Sequence, residues 1–186
     1  MNRHDSVNRW CILALAISTA LTPPVLARPE RTSPPGPCRE GLSGGSPAVE
    51  LHHVFCGEIN RRGQAVGFHS RPGGVNPPTV SDTGEPRPVR GHPGLYNLFR
   101  FQITQDGRTE TKTISTLYPD ACSAEDVIAA IQHAYNTSRG DGQQFRGMSG
   151  PRCTDENGRP FPITGFTDRR GGLHIRTGYP DVGGGR

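Results

Sequence analysis

The sequence predicts an α+β fold in which antiparallel sheets carry one main helix, near residues 123–136. Several short segments alternate apolar and polar residues and are joined by Gly-containing turns, which is typical of antiparallel hairpins. Only one segment combines apolar residues at helical spacing with a helix-start signal. A chain of 186 residues can form one domain with its own core, and 25 Gly and 18 Pro predict many turns.

The first residues are organised like an export signal. Arg3 and Arg9 make a basic start, residues 10–21 are apolar, and residues 25–27 are of the kind that signal peptidase prefers. The apolar run is shorter than the roughly 20 residues that span a bilayer, so no membrane anchor is expected once residues 1–27 are removed. We therefore expect a secreted or periplasmic protein.

Four cysteines remain in the expected mature chain: Cys38, Cys56, Cys122 and Cys153. An even number in an oxidising compartment predicts two disulfides, and the sequence leaves all three pairings open. No two of these cysteines are close enough for a CxxC-type metal site. A cysteine nucleophile is not expected in an exported protein.

The positive charge of the chain is almost entirely arginine. The formal net charge is +4 at pH 7, and loss of two arginines and one aspartate with the signal leaves +3. Lys112 is the only lysine, and the planar fork of arginine suits phosphate contacts. Arg169 and Arg170, at the tip of a predicted hairpin, are the candidate phosphate contacts.

The mature chain begins with a predicted linker and a predicted hairpin. Residues 28–48 are rich in Pro, Gly and Ser. Residues 51–59 predict a strand, and residues 60–63 (Asn-Arg-Arg-Gly) predict a turn that would bring His69 opposite His53. Because neighbouring strand residues face opposite sides, His52 is expected at the surface. Pro-rich residues 72–94 predict a connector.

Residues 95–117 predict a second hairpin. Phe99, Phe101 and Ile103 alternate with polar residues before a turn at Asp106-Gly107. On the returning strand the alternation would place Lys112 and Thr116 on one face.

The main helix begins at a predicted cap, Ser123, with Asp126 three residues later. The apolar residues that recur at helical spacing are Val127, Ile128, Ile131, Ala134 and Tyr135. Among them, His133 is interpreted as a structural histidine of the core.

A third hairpin is predicted from residues 161–166 and 173–180, and residues 181–186 are expected to be a flexible tail. Regular alternation places Leu173, Ile175, Thr177 and Tyr179 on one face. His174 and Arg176 would then point to the other face unless the strand bulges.

Four short motifs occur in order along the chain. They are His-Val-Phe-x-Gly-Glu at residues 53–58, Gly-Phe-His at 67–69, Lys-x-x-Ser-Thr at 112–116 and Thr-Gly-Tyr-Pro at 177–180. Together they resemble the EndoU endoribonucleases, both the animal proteins and the EndoU domains of bacterial toxins. The resemblance covers roughly residues 49–180, which we take as the nuclease domain.

The resemblance implies an EndoU-like, RNase A-like arrangement of antiparallel sheets and a function. Members cleave RNA, often after uridylate, and leave a 2′,3′-cyclic phosphate by means of two histidines and a lysine. These positions match His53, His69 and Lys112. The family's hydroxyl residue and tyrosine near the C-terminus match Thr177 and Tyr179.

The resemblance also implies substrate contacts. Thr116 matches a hydroxyl residue linked to uracil preference, and Ser115 is the neighbouring alternative. Glu58 matches a glutamate that is important in animal members, where Mn²⁺ can be needed. RNA is then the substrate, and bacterial relatives suggest a dedicated immunity or inhibitor protein as a partner.

The chemistry is consistent with these residue types. One imidazole can remove the ribose 2′-OH proton while the other protonates the departing 5′-oxygen, so no metal is required. By family analogy His69 is the base and His53 the acid. Lys112 and Thr177 could stabilise charge on the phosphate, and Tyr179 could stack on a base.

Two other classes of function are compatible with the sequence. One is a zinc-dependent hydrolase that uses His52, His53, His69 and Glu58, although the chain has no HExxH motif. The other is a secreted protein that keeps the fold and binds polyanions without catalysis.

Overall fold

A computed structural model of the chain describes residues 37–81, 84, 86–138, 143–169 and 173–183. The predicted signal peptide, the first part of the predicted linker, Arg170 and the end of the predicted tail lie outside the described residues. No helix in the described part of the chain is long and apolar enough to cross a lipid bilayer.

The strands form two larger sheets and a small ribbon. The first sheet has the order β1 (Ala48–Val49), β10 (His174–Pro180), β9 (Pro162–Asp168), β8 (Gln144–Met148), and only its β1–β10 pair is parallel. In the second sheet, β6 (Tyr96–Gln105) pairs with β7 (Arg108–Leu117) on one side and with β4 (Val80–Ser81) and β5 (Arg87–Pro88) on the other. The ribbon is β2 (Glu58–Ile59) with β3 (Ala65–Val66). The predicted α+β class is therefore confirmed.

The predicted main helix is α2, Ala124–Thr137. As expected, the Ser123 hydroxyl accepts a hydrogen bond from the Asp126 N–H (3.2 Å). The helix buries Val127 and Ile131 in the core of the first sheet. His133 was wrongly placed in that core, because it lies on the outward face of α2 and is exposed.

Two of the predicted hairpins are present. β6 and β7 meet at the Asp106-Gly107 turn, where both residues have positive φ (51° and 73°). β9 and β10 form the C-terminal pair. No element was predicted between residues 137 and 160, where the structure has β8. That strand was missed because Gln144–Met148 shows little apolar alternation.

The segment that carries His53 is a short helix, α1 (Leu51–Phe55), rather than a strand. Leu51, Val54 and Phe55 are buried at a spacing of three and four residues, which a helix brings to one side. The turn that was predicted after it joins β2 to β3 instead. A second helical element, the 3-10 turn Pro72–Gly74, lies in the predicted connector.

Two disulfides link the cysteines, and their pairing resolves the three possibilities that the sequence leaves open. Cys38 bonds to Cys56, so part of the predicted linker is tied to the end of α1. Cys122 bonds to Cys153 and joins the segment before α2 to the loop after β8.

Gly67 provides a test of how α1 is held against the chain that follows β3. Its φ is +74°, and a Cβ there would overlap the carbonyl oxygen of His53. We expect Gly67→Ala to lower the free energy of unfolding by about 2–4 kcal/mol, measured by urea denaturation. Gly73→Ala is the matched control, since Gly73 has nearly the same φ (+72°) and open space around it. The control should lower the free energy of unfolding by only about 1 kcal/mol. Equal losses of stability in the two variants would contradict the close approach at Gly67.

Candidate active site

Two buried histidines lie side by side where α1 meets the chain after β3. The His53 and His69 rings have centroids 6.0 Å apart and an interplanar angle of 36°. Backbone hydrogen bonds set this distance: the Phe68 N–H donates to the His53 carbonyl (2.8 Å) and the His69 N–H to the Val54 carbonyl (2.7 Å). Gly67 and Phe68, both with positive φ, make the turn that allows it.

His69 is buried to the same extent as His53, with 8% and 7% of each residue exposed. Its ring stacks on Tyr179 with centroids 5.2 Å apart. Its Nδ1 is 3.0 Å from the Ser115 hydroxyl and 3.4 Å from the Thr116 carbonyl oxygen. Burial, together with the positive charges of Lys112 and His53, holds the pKa of His69 well below its usual value of 6.5. His69 is therefore neutral at pH 7.

His53 has an anionic neighbour. Its Nδ1 is 3.1 Å from Glu58 Oε1, and the same oxygen accepts a hydrogen bond from Arg176 Nη2 (2.5 Å). The hydrogen bond from His53 outweighs burial and, with Arg176, lowers the pKa of Glu58 from 4.5 to about 2. Glu58 is thus ionised at neutral pH.

β10 reaches this site because it bulges. Its register against β9 shifts between Ile175 and Thr177, so the regular alternation predicted for this strand is wrong. Ile175 is buried in the core with α2, whereas Arg176 contacts Glu58 and Tyr179 faces His69. The extra residue of the bulge turns Arg176 to the side of the site.

Thr177 lies on the same face of β10 as Tyr179. A Cβ at Gly178 would meet Ile131 of α2, and side chains alternate along a strand, so the residues on either side of Gly178 point away from α2. The Thr177 hydroxyl oxygen is buried and has no hydrogen-bond partner among the described residues. It is therefore a buried polar group whose hydrogen-bonding capacity the described residues leave unused.

Lys112 extends from β7 to Gly67 and Ser115, next to the histidines. Its Nζ donates to the Gly67 carbonyl and to the Ser115 hydroxyl (3.3 Å), and burial lowers its pKa from 10.5 to about 8. The predicted shared face of Lys112 and Thr116 is not found. Arg100, opposite β7, has φ +52° and disturbs the pleat there.

The Thr116 hydroxyl instead donates to Asn97 Oδ1 (2.8 Å), beside the site but not directed at either histidine. Thus Ser115, rather than Thr116, meets the end of the Lys112 side chain.

The structure brings together most of the candidate residues. Those within one connected set of contacts, or facing it, are His53, His69, Lys112, Ser115, Glu58, Thr177 and Tyr179. Arg169 follows β9 and is exposed, and no hydrogen bond or ion pair among the described residues joins it to this set. Arg170 lies outside the described residues.

His52, expected at the surface, is only 13% exposed and its Nε2 lies 3.3 Å from Glu40 Oε1. It faces away from His53 and His69 because it occupies a different side of α1. In the described ranges, no three His, Cys, Asp or Glu side chains lie close enough together to hold a metal ion. The histidine-rich metal set considered from sequence is therefore not assembled here.

An open groove of about 810 Å³ borders the site. Its lining includes Glu58 and Arg176, together with Arg61 and Arg62 in the turn between β2 and β3. Arg176, Arg61 and Arg62 were not predicted as site residues. Arg61 and Arg62 could have been found from sequence, since their turn directly follows the strand of Glu58.

Comparison with known proteins places this geometry in context. A family model described as bacterial EndoU nuclease matches residues 48–182. A protein named "Toxin" from Bacillus cereus is 31% identical over 91 residues, which are 46% of this chain. The matched segment is only 15% of that relative's length. No solved structure matches the chain.

Glu58 should make the stability of the protein depend on pH. Its pKa is about 2 in the folded chain against 4.5 ordinarily, so its stabilisation is complete above pH 4.5 and is lost as the pH falls towards 2. We expect Glu58→Gln to lower the free energy of unfolding by about 2 kcal/mol at pH 7. The difference from wild type should shrink between pH 4.5 and 2, as measured by urea denaturation.

Asp106→Asn, in the exposed turn of the β6–β7 hairpin, is the control and should change stability little at any pH. The loss of unfolding free energy in Glu58→Gln could instead be as large at pH 2.5 as at pH 7. That result would show that the ionised carboxylate is not the source of the stabilisation.

Proposed function

The chain belongs to the bacterial EndoU nuclease family, and from this premise we propose that it is an endoribonuclease that cleaves single-stranded RNA. The ribose 2′-oxygen attacks the adjacent phosphorus, the bond to the 5′-oxygen breaks, and a 2′,3′-cyclic phosphate remains. The observation that carries the proposal is the pair of buried imidazoles with centroids 6.0 Å apart. Both rings can reach one phosphodiester group at that separation.

The different surroundings of the two rings support different roles. His69 is neutral because burial lowers its pKa, so it can accept the 2′-OH proton as the general base. His53 lies against the ionised Glu58, whose negative charge can stabilise a protonated imidazole. His53 can therefore give a proton to the 5′-oxygen. Each transfer typically contributes about 10²- to 10⁴-fold to the rate.

Two further groups suit the charge that develops on the phosphate. Lys112 is a partly buried cation at pH 7, and a charge in a partly desolvated site acts more strongly than one in water. The Thr177 hydroxyl, buried without a partner among the described residues, can donate to a nonbridging oxygen. We assign both to stabilisation of the transition state.

Base contacts are proposed for Tyr179 and Thr116, which would give the uridylate preference that the family resemblance implies. The acid–base scheme itself needs no metal. A Mn²⁺ requirement through Glu58 would appear as loss of activity with EDTA.

We further propose that the protein is a secreted or periplasmic toxin or effector. Two disulfides are typical of proteins that act outside the reducing cytosol, and the matched Bacillus cereus relative is named a toxin. A nuclease of this kind needs an inhibitor in the producing cell, so an immunity protein that covers the site is the proposed partner.

The central test compares a uridine-containing RNA oligonucleotide with its 2′-deoxyuridine analogue, with and without EDTA. We expect cleavage of the RNA alone, with a cyclic phosphate product that EDTA does not prevent, since the 2′-OH is the nucleophile. His53→Ala and His69→Ala should each reduce the rate about 10²- to 10⁴-fold. His133→Ala, exposed on α2, is the matched control and should keep full activity.

Other results would point to other functions. Cleavage of the deoxy substrate would favour a metal-dependent hydrolase, whereas EDTA inhibition of a cleavage that is confined to RNA would indicate the Mn²⁺ requirement through Glu58. Binding of RNA without cleavage by the wild-type protein would favour a polyanion-binding protein.

Lys112 should give the activity a specific pH dependence. Its pKa of about 8 means that its charge is present below pH 8 and is lost above it. We expect Lys112→Gln to lower kcat/KM about 100-fold at pH 7. The ratio of the wild-type kcat/KM to that of the variant should fall as the pH rises through 8. Arg90→Gln, which removes an exposed cation, should give a ratio near one at every pH. A Lys112→Gln ratio that is constant from pH 6 to 10 would rule out a role for the titrating charge.

A further inference from the structure

The buried hydroxyl of Ser115 connects three parts of the site. Ser115 is 3% exposed. Its Oγ lies 2.7 Å from the Phe68 carbonyl oxygen, 3.0 Å from His69 Nδ1 and 3.3 Å from Lys112 Nζ. A serine hydroxyl has one hydrogen to donate and two lone pairs that accept. These three neighbours therefore use its whole hydrogen-bonding capacity.

The directions of these hydrogen bonds follow from the chemistry of the neighbours. A carbonyl oxygen can only accept, so the single hydroxyl hydrogen of Ser115 goes to Phe68. The ammonium of Lys112 can only donate, so Ser115 accepts from it. No hydrogen is left for His69, and the contact at 3.0 Å requires His69 Nδ1–H to donate to the Ser115 oxygen.

A second neighbour of His69 Nδ1 supports the same direction. The carbonyl oxygen of Thr116 lies 3.4 Å away and can only accept. In the opposite tautomer, the bare Nδ1 lone pair would face this carbonyl and a hydroxyl whose hydrogen is already engaged. Both neighbours thus favour a proton on Nδ1.

We propose that Ser115 is a positioning residue that holds neutral His69 in the tautomer protonated on Nδ1, so that Nε2 carries the lone pair that takes the 2′-OH proton. This rests on the proposed function for the identity of the proton, but the tautomer itself does not. Glu58 occupies the equivalent position at Nδ1 of His53, so both rings would work through Nε2. Ser115 then has no hydrogen-bonding capacity left to contact an RNA base. The positioning role therefore replaces the substrate-binding role that the sequence suggested for Ser115.

The tautomer can be measured directly by long-range ¹H–¹⁵N NMR on protein labelled with ¹⁵N-histidine, at a pH above the titration of His69. The His69 signals are assigned from their loss in His69→Gln. We expect a pyrrole-type shift for Nδ1 and a pyridine-type shift for Nε2 in wild type and in Ser115→Thr, which keeps the hydroxyl. Ser115→Ala should move the signals towards a mixture of tautomers. Wild-type protein with its proton on Nε2 would overturn the proposal.

A kinetic comparison separates positioning from folding. We expect Ser115→Ala to lower kcat about tenfold, the equivalent of one lost hydrogen bond, with KM unchanged, whereas Ser115→Thr restores kcat. Unchanged kcat in a folded Ser115→Ala variant would also overturn the proposal. If the wild-type tautomer is as expected and yet no RNA is cleaved, the proposed function fails while the tautomer assignment stands. The two failures are therefore distinguishable.

Discussion

The arrangement of the site depends on the close approach of two backbone segments. The chain after β3 runs against α1 so tightly that Phe68 and His69 donate hydrogen bonds to carbonyls of that helix. Only a residue without a side chain fits at Gly67, because a Cβ would meet the helix backbone. The same contact that completes the local fold therefore fixes the separation of the two histidines. The other site groups come from β7 and β10 and pack around a pair that backbone geometry has already set.

The two imidazoles are chemically alike but are placed in opposite electrostatic settings. One is beside an ionised carboxylate that Arg176 also holds, and the other is near the positive charge of Lys112. Such a division can give two residues of the same type different roles in proton transfer. Glu58 contacts His53 directly, whereas Lys112 contacts the Ser115 hydroxyl beside His69.

Much of the fold could be predicted from local patterns, and less of the site. The β6–β7 hairpin and α2 carry turn and cap signals within the sequence, so they were predicted correctly. α1 was mistaken for a strand because a segment of five residues with three apolar side chains is too short to distinguish the two periodicities. The bulge at Arg176 depends on pairing with β9, which no pattern within β10 reveals. Four cysteines allow three pairings, so only the folded chain could distinguish them. The roles of the site residues and the export signal stay predictions.

The scarcity of lysine gives the chain an unusual alkaline titration. Lys112 is the only lysine among 21 lysine and arginine residues, and guanidinium groups keep their charge throughout the range in which proteins are studied. The basic surface that would attract a nucleic acid therefore stays constant between about pH 7 and 10, while the cation beside the histidines is lost. In most basic proteins, long-range attraction and local chemistry weaken together as the solution becomes alkaline. Here the two are separated, so a change in activity over that range reports on the interior of the site and not on encounter with the polymer.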